Sequence, residues 1–301
     1  MKIQRISIVF SFFCIWLTSL LTQQVQYFSA FCIILTFGIL HGANDIVLLN
    51  KMKNDSPKNI NILFLVRYVL IVLITVLFFY VFPQIALLSF ILISAFHFGE
   101  QHWNTQILKS KKIIAPIFYF VYGYFILFLL FNFHIVEVQE IIAKLIDYTV
   151  SRIWIEINFI IASILLVFGF LYLYIYEANF RSNLVLELFY LVLFALIFKM
   201  ASLLWGFAIY FIFWHSIPSL VDQIGFLYGS YSKANFIRYC KSAFWYWIIS
   251  IFGIGILYFS FKDEKLFEAL FFAFLAAITF PHVWVIVAMF RTKSEPISIP
   301  K

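Results

Sequence analysis

Charged residues, cysteines and flexible linkers are all scarce in this chain of 301 residues. Only 12% of the residues are charged, against about a quarter in a typical soluble domain, which excludes a soluble globular protein. The three cysteines, Cys14, Cys32 and Cys240, form no C-x-x-C pair, which argues against a disulfide framework and a thiolate metal site. Low-complexity tracts and long linkers are also missing, so the sequence predicts a single domain over residues 1–301.

Long apolar segments dominate the chain. Hydrophobic residues make up 64% of it, and apolar runs of about 18 or more residues recur along it, as in membrane-spanning helices. We therefore predict an all-α, polytopic membrane helix bundle of about eight to ten transmembrane helices, with ten favoured. The seventh and eighth segments are short and nearly continuous, which leaves the lower counts open. The ten segments are 6–22, 28–50, 60–82, 84–106, 113–133, 153–176, 184–200, 203–220, 244–262 and 267–291.

The basic residues indicate the orientation of these helices. The net charge is +7, and most Lys and Arg fall on one side of the membrane when the N-terminus is placed inside. This asymmetry predicts cytoplasmic termini, a multi-pass protein of the cell (inner) membrane, and no nucleic-acid partner. Residues 1–22 could instead be a signal peptide, but no A-x-A-like cleavage site follows them, so we expect a retained first helix.

Four of the six histidines lie well inside predicted spans. These are the second, fourth, eighth and tenth spans, which all run from outside to inside in the predicted topology. At about 1.5 Å per residue, the four imidazoles lie roughly 18 to 24 Å deep, in one layer. A lone histidine could simply hydrogen-bond a neighbouring helix, but four at one depth predict a shared metal site. The four are His41, His97, His215 and His282.

Polar residues follow the histidines on the cytoplasmic side of the same helices. Carboxylates there could accept the second ring N–H of a ligating histidine and fix its tautomer, and the group suggests a polar cavity facing the cytoplasm. The alternative for Asp45 and Asp222 is simple hydration near the interface. Gly42, Gly99 and Pro281 adjoin three of the histidines and could allow close helix approach or a kink. The predicted supporting residues are Asp45, Glu100, Ser219 and Asp222.

Four imidazoles suit zinc, copper, iron or nickel, so the ligand type alone does not choose the metal. Oxygen chemistry on iron and hydrolysis on zinc both remain open. A site inside a bilayer favours a lipid-soluble substrate. The 41 Phe, 17 Tyr and 8 Trp could line an apolar tunnel, although helix packing and interfacial belts explain most of them equally well.

The segments "HGANDIVL", "SAFHFGEQHW", "WHSIPSL" and "FPHVWVI" occur in this order from His41 to beyond His282. This ordered set resembles the Brp/Blh family of β-carotene 15,15′-dioxygenases. The resemblance implies an integral membrane catalytic domain with non-haem Fe(2+) held by histidines. It further implies that β-carotene is cleaved with O2 at its central double bond, giving two molecules of all-trans-retinal that a microbial rhodopsin can take up.

Carried over residue by residue, the resemblance implies the iron ligands His41, His97, His215 and His282. Two positions depart from the pattern of relatives. Gln101, preceded by Glu100, stands where relatives often have an acidic residue, and Ser219 stands where some have a histidine. His102 lies about 140° round the helix from His97, so we do not expect it to share the ion.

Three other functions are consistent with a histidine-containing membrane protein. Di-iron hydroxylases and desaturases carry about eight histidines in H-x-x-x-H and H-x-x-H-H clusters, which this chain lacks. A b-type haem electron-transfer protein would hold its cofactor between two histidines. A transporter would use the intramembrane histidines and carboxylates as a proton relay.

Overall fold

The computed structural model describes residues 2–54, 62–104, 114–260 and 264–294. Nearly all of these residues are helical, and none of them forms a β-strand. The prediction of an all-α polytopic bundle is therefore confirmed. The chain folds into two compact units. The single catalytic domain over residues 1–301 stays a prediction.

Nine helices in the described part of the chain are long and apolar enough to cross a membrane. They coincide with nine of the ten predicted segments, and the chain is a multi-pass membrane protein by this criterion. The tenth segment, at the N-terminus, is the shorter apolar helix Ile3–Thr18. Outward faces of several spans are rich in exposed Ile, Leu, Val and Phe, as expected of surfaces that contact lipid.

The first unit covers Met1–Gly38 and Ile91–Pro218. Helix α7 (Ile114–Phe133) packs along α9 (Arg152–Tyr176) here, and α11 (Leu203–Tyr210) packs against α2 (Gln23–Ile33). Two short π-helical segments, Ile34–Gly38 and Phe211–Ser216, follow α2 and α11 without a break. The α-helices that lie wholly in this unit are α1 (Lys2–Thr18), α2 (Gln23–Ile33), α7 (Ile114–Phe133), α8 (Ile135–Ile146), α9 (Arg152–Tyr176), α10 (Ala178–Met200) and α11 (Leu203–Tyr210).

The second unit covers Ile39–Phe90 and Ser219–Lys301. Its core is an apolar cluster centred on Leu48, Ile224 and Ile286, all fully buried. Two helices cross the unit boundaries along the chain, α6 (Pro83–Trp103) and α12 (Ile217–Tyr228). The others in this unit are α3 (Ile39–Gly42), α4 (Asp45–Asn54), α5 (Ile62–Val81), α13 (Lys233–Ser260) and α14 (Glu264–Ser294).

Local sequence explains where several of these helices begin and end. Pro83 is the first residue of α6, the position at which its missing N–H costs nothing. Gly229 has a φ of 85° directly after α12, the left-handed conformation in which glycine ends helices. The predicted segments end at 220 and resume at 244, but the structure continues α12 to Tyr228 and begins α13 at Lys233.

Helices α6 and α7 touch through two glycines. A Cβ added at Gly99 would overlap the carbonyl oxygen of Tyr119, and one added at Gly123 would overlap that of Ala95. The backbones of the two helices are therefore in direct contact at both positions, which only glycine allows. Because Gly99 lies two residues after His97, this contact fixes the segment of α6 that carries the histidine.

Candidate metal centre

The first unit brings His97 and His215 together. His97 lies on α6 and His215 on the π-helical segment Phe211–Ser216, and their ring centroids are 4.6 Å apart at 73°. Both side chains are almost fully buried. Phe98 meets the His215 ring edge-on at 4.9 Å, and Phe211 stacks on it at 5.4 Å. The two aromatic rings therefore shield the His215 imidazole from water.

The π-helical segment is a local feature that a regular helical period does not predict. Its hydrogen bonds close one residue later than those of an α-helix, and such turns are frequent at functional sites. The other segment of this kind, Ile34–Gly38, ends three residues before His41. Two of the four histidines thus lie within or just after a π-helical turn.

The second unit brings His41 and His282 together. His41 lies on the short helix α3 and His282 on α14, with ring centroids 4.8 Å apart and planes at 89°. Pro281 lies inside α14 directly before His282. Its ring cannot supply the N–H that the helix ladder requires, so the helix loses one hydrogen bond beside the histidine.

Asp45 is the carboxylate partner of His282. The Nδ1 atom of His282 lies 2.9 Å and 3.1 Å from the two oxygens of Asp45, and the Tyr68 hydroxyl donates to Asp45 Oδ2 at 2.8 Å. This bond assigns the proton of His282 to Nδ1 and leaves Nε2 with a lone pair for a metal. The sequence suggested Asp45 as a partner of His41, but α3 ends at Gly42 and α4 begins only at Asp45.

A buried polar network holds the break between α3 and α4. The Tyr239 hydroxyl lies 2.7 Å from Gln223 Oε1 and 3.1 Å from the His41 carbonyl oxygen. Asn44 Nδ2 donates to the Tyr239 carbonyl oxygen at 3.0 Å, and Ser242 Oγ donates to Asn44 Oδ1 at 2.8 Å. The backbone at His41 is therefore anchored to α13. No sequence pattern pointed to these residues, because the bonds from Tyr239 and Ser242 to His41 and Asn44 span 195 to 198 positions.

The other predicted supporting residues lie in different surroundings. Glu100 is buried on α6. Ser219 is fully buried, and its hydroxyl accepts a hydrogen bond from Gln223 Nε2 at 3.1 Å. Asp222 is only partly buried, as expected of a hydrated carboxylate. The bond between Asp45 and His282 is thus the contact that best matches the predicted supporting role.

His102 belongs to a separate buried cluster. Its Nε2 lies 3.0 Å from Glu187 Oε2 on α10, and its ring stacks on Tyr122 at 4.8 Å. Both the imidazole and the carboxylate are nearly inaccessible to solvent. The structure therefore pairs His102 with an acidic residue of α10, and sequence reasoning had singled out neither Glu187 nor this pairing.

The four histidines form a group that could hold a metal ion. Each offers one ring nitrogen, and the four nitrogens lie within 4.8 Å of one another. Metal–imidazole bonds of about 2.1 Å place two donor nitrogens at most about 4.2 Å apart, so a pair as far apart as 4.8 Å would have to move closer to share one ion. Four neutral imidazoles fit a first-row transition metal. The group consists of His41, His97, His215 and His282.

A comparison with protein-family models matches residues 32–290 to the family described as beta-carotene 15,15'-dioxygenase. The chain belongs to this family. The match spans all four histidines and begins after α1. No curated protein and no solved structure gives a significant match. Membership supports a carotene dioxygenase in general terms, and it agrees with the resemblance carried by the four motifs.

Asp45→Asn is expected to weaken metal binding, because the neutral amide supports the His282 Nδ1–H less well than a carboxylate does. Loss of such an outer partner typically costs about 10- to 100-fold in metal affinity. Titration of the purified variant with Fe(2+) or Co(2+) measures the change. Glu156→Gln removes an acid from the exposed pair with Arg152 and serves as the control. Equal affinities of the two variants would contradict the role of Asp45.

Proposed function

We propose that this protein is a non-haem iron dioxygenase of the cell (inner) membrane. Its substrates would be β-carotene and O2, and its product all-trans-retinal, two molecules for each β-carotene cleaved at the 15,15′ bond. Both atoms of one O2 end up in the two aldehydes, so the reaction balances without a further reductant. The single observation that carries the proposal is a group of four buried imidazoles in a chain of the β-carotene dioxygenase family.

The ligands of the ion would be His41, His97, His215 and His282 through one ring nitrogen each. Iron held in this way would supply the redox chemistry that activates O2. Asp45 would keep the proton of His282 on Nδ1, and Tyr68 would hold Asp45 in place. Phe98 and Phe211 would exclude water from the His215 ring. Glu100, Ser219 and Asp222 remain predicted supporting residues.

The surroundings of the site suit an apolar substrate. The chain crosses the membrane many times, so β-carotene dissolved in the lipid can reach it without entering water. None of the proposed steps needs a side-chain acid or base, since oxygen adds across a carbon–carbon double bond and two aldehydes form. The retinal released into the same lipid could then pass to a microbial rhodopsin.

The test is expression in bacterial cells that already make β-carotene, followed by chromatography of the extracted pigments. We expect β-carotene to disappear and retinal to accumulate, with neither change in cells that carry His97→Ala. The variant His134→Gln is the matched control, because His134 lies outside the four-histidine group and glutamine can still donate to the Phe198 carbonyl oxygen.

Two results would contradict the proposal. If β-carotene stayed intact in membranes that contain folded, iron-loaded protein, the protein would not have the proposed cleavage activity. A Soret band in the purified protein would indicate haem instead of non-haem iron. Longer apocarotenals would keep the dioxygenase chemistry and reject only cleavage at the central bond.

A further inference from the structure

The π-helical segment that carries His215 has a carbonyl group for which its own helix offers no donor. The Ile217 N–H bonds to the Ile212 carbonyl oxygen, five residues earlier. In the same register, the Phe213 carbonyl oxygen would accept from the N–H of residue 218. Residue 218 is a proline and has no N–H. The Phe213 carbonyl oxygen therefore needs a partner from elsewhere, since a buried carbonyl without a hydrogen bond is costly.

Helix α1 provides that partner. The Ser7 hydroxyl donates to the Phe213 carbonyl oxygen at 2.6 Å, whereas the carbonyl oxygen of its own preceding turn, on Ile3, lies at 3.2 Å. Ser7 is almost completely buried. A short hydroxyl–carbonyl bond in a buried setting is a strong one. The Ser7 hydroxyl therefore satisfies the Phe213 carbonyl oxygen, which the π-helical register and Pro218 leave without a donor from its own helix.

Two further contacts join α1 to the same turn. Ser11, one helical turn after Ser7, accepts a hydrogen bond from Trp214 Nε1 at 2.9 Å. Phe10 stacks on Phe213 with ring centroids 5.2 Å apart and planes at 10°. All three contacts fall on the two residues that directly precede His215. They restrain the backbone from which the His215 imidazole projects, and they restrain the side chains that precede it.

We propose that α1 positions His215, with Ser7 and Ser11 as the positioning residues. The idea rests on the proposed function, in which His215 binds the metal. Helix α1 lies outside residues 32–290, the part of the chain that matches the family. The assignment therefore adds to the site two serines that the family match does not include.

The competing explanation is that α1 only packs against the bundle and stabilises it in a general way. The chain offers a matched control for this. Thr18, also on α1 and also buried, accepts a hydrogen bond from Trp205 Nε1 at 2.8 Å, and Trp205 lies on α11, two to three turns before His215. Thr18→Val removes a bond of the same type between the same chain segments without touching the π-helical turn.

The first experiment is a Co(2+) titration of the purified full-length protein, followed by visible absorption. We expect Ser7→Ala and Ser11→Ala to weaken Co(2+) binding about tenfold, the lower end for outer-shell changes, and to shift the ligand-field bands. Ser7→Thr, which keeps the hydroxyl, should restore both properties. Thr18→Val should bind Co(2+) as the wild type does. Equal behaviour of Ser7→Ala and Thr18→Val would overturn the proposal.

The second experiment is hydrogen exchange without metal, read on peptides from 203–228. Ser7→Ala should speed exchange of the Ile217 amide, and Thr18→Val should speed exchange only near Trp205. If Ser7→Ala left the exchange of the Ile217 amide unchanged, α1 would not restrain this turn, and the proposal would be wrong. If instead exchange responds as expected but the wild type shows no Co(2+) binding that depends on His215, the proposed function fails. That result would also remove the metal-positioning role of the two serines.

Discussion

Replacing His282 with alanine is expected to abolish both metal binding and cleavage of β-carotene. The variant would remove one of four donors and leave Asp45 buried without its imidazole partner. Loss of an outer partner already costs about 10- to 100-fold in affinity, so loss of a ligand should exceed about 100-fold. Metal analysis of the purified protein and retinal production in β-carotene-forming cells are the two measurements.

This variant also tests which residue completes the ligand set. The family resemblance implies a histidine in some relatives at the position of Ser219, and the structure shows that serine bonded to Gln223. His134→Gln is again the control for a general loss of folding. A His282→Ala protein that kept its iron and its activity would show that His282 is not a ligand and that the set of four is wrong.

Gly99→Ala is expected to have the largest effect on stability. The added methyl group would overlap the carbonyl oxygen of Tyr119, a backbone atom that cannot rotate away, so α6 and α7 would have to separate. Overpacking commonly costs about 1 to 3 kcal/mol, and the rigid backbone contact places this variant at about 3 kcal/mol or above. The thermal midpoint and the yield of monodisperse protein in detergent report the loss.

Gly225→Ala provides the comparison for Gly99→Ala. A Cβ at Gly225 meets no described atom within 4 Å, and alanine is the better helix former by about 1 kcal/mol. We therefore expect this variant to be as stable as the wild type or slightly more stable. If both alanine variants had the same thermal midpoint, the result would contradict the direct backbone contact between α6 and α7 at Gly99.

The membrane helices and the histidine group could be predicted from sequence because each depends on one simple physical rule. Hydrocarbon excludes unsatisfied backbone groups, so every span is a long apolar helix that can be recognised in the sequence. Depth in the membrane follows from the helical rise, so His41 and His282 could be assigned to one layer although 241 positions separate them. The four histidines form one buried group, and their common depth in the membrane stays a prediction.

The partners of these histidines could not be predicted, because they depend on local departures from a regular helix. The interruption between Gly42 and Asp45 removes the i, i+4 relation that suggested Asp45 as a partner of His41, and the structure bonds Asp45 to His282. Tyr68 and Glu187 gave no signal, since a single tyrosine or glutamate in a span indicates no partner. The predicted gap between the segments 203–220 and 244–262 was too long, because the polar residues after 220 hid the buried face of α12.

The π-helical turn before Ile217 also affects how this chain can be aligned with distant relatives. Such a turn closes its hydrogen bonds one residue late, which is equivalent to a single residue inserted into an α-helix. A relative that lacks the insertion would need a one-residue gap within 211–216. Without the gap, the aligned position of the histidine would be rotated by about 100° around the helix axis. A missing histidine in such an alignment would then reflect register rather than a lost ligand.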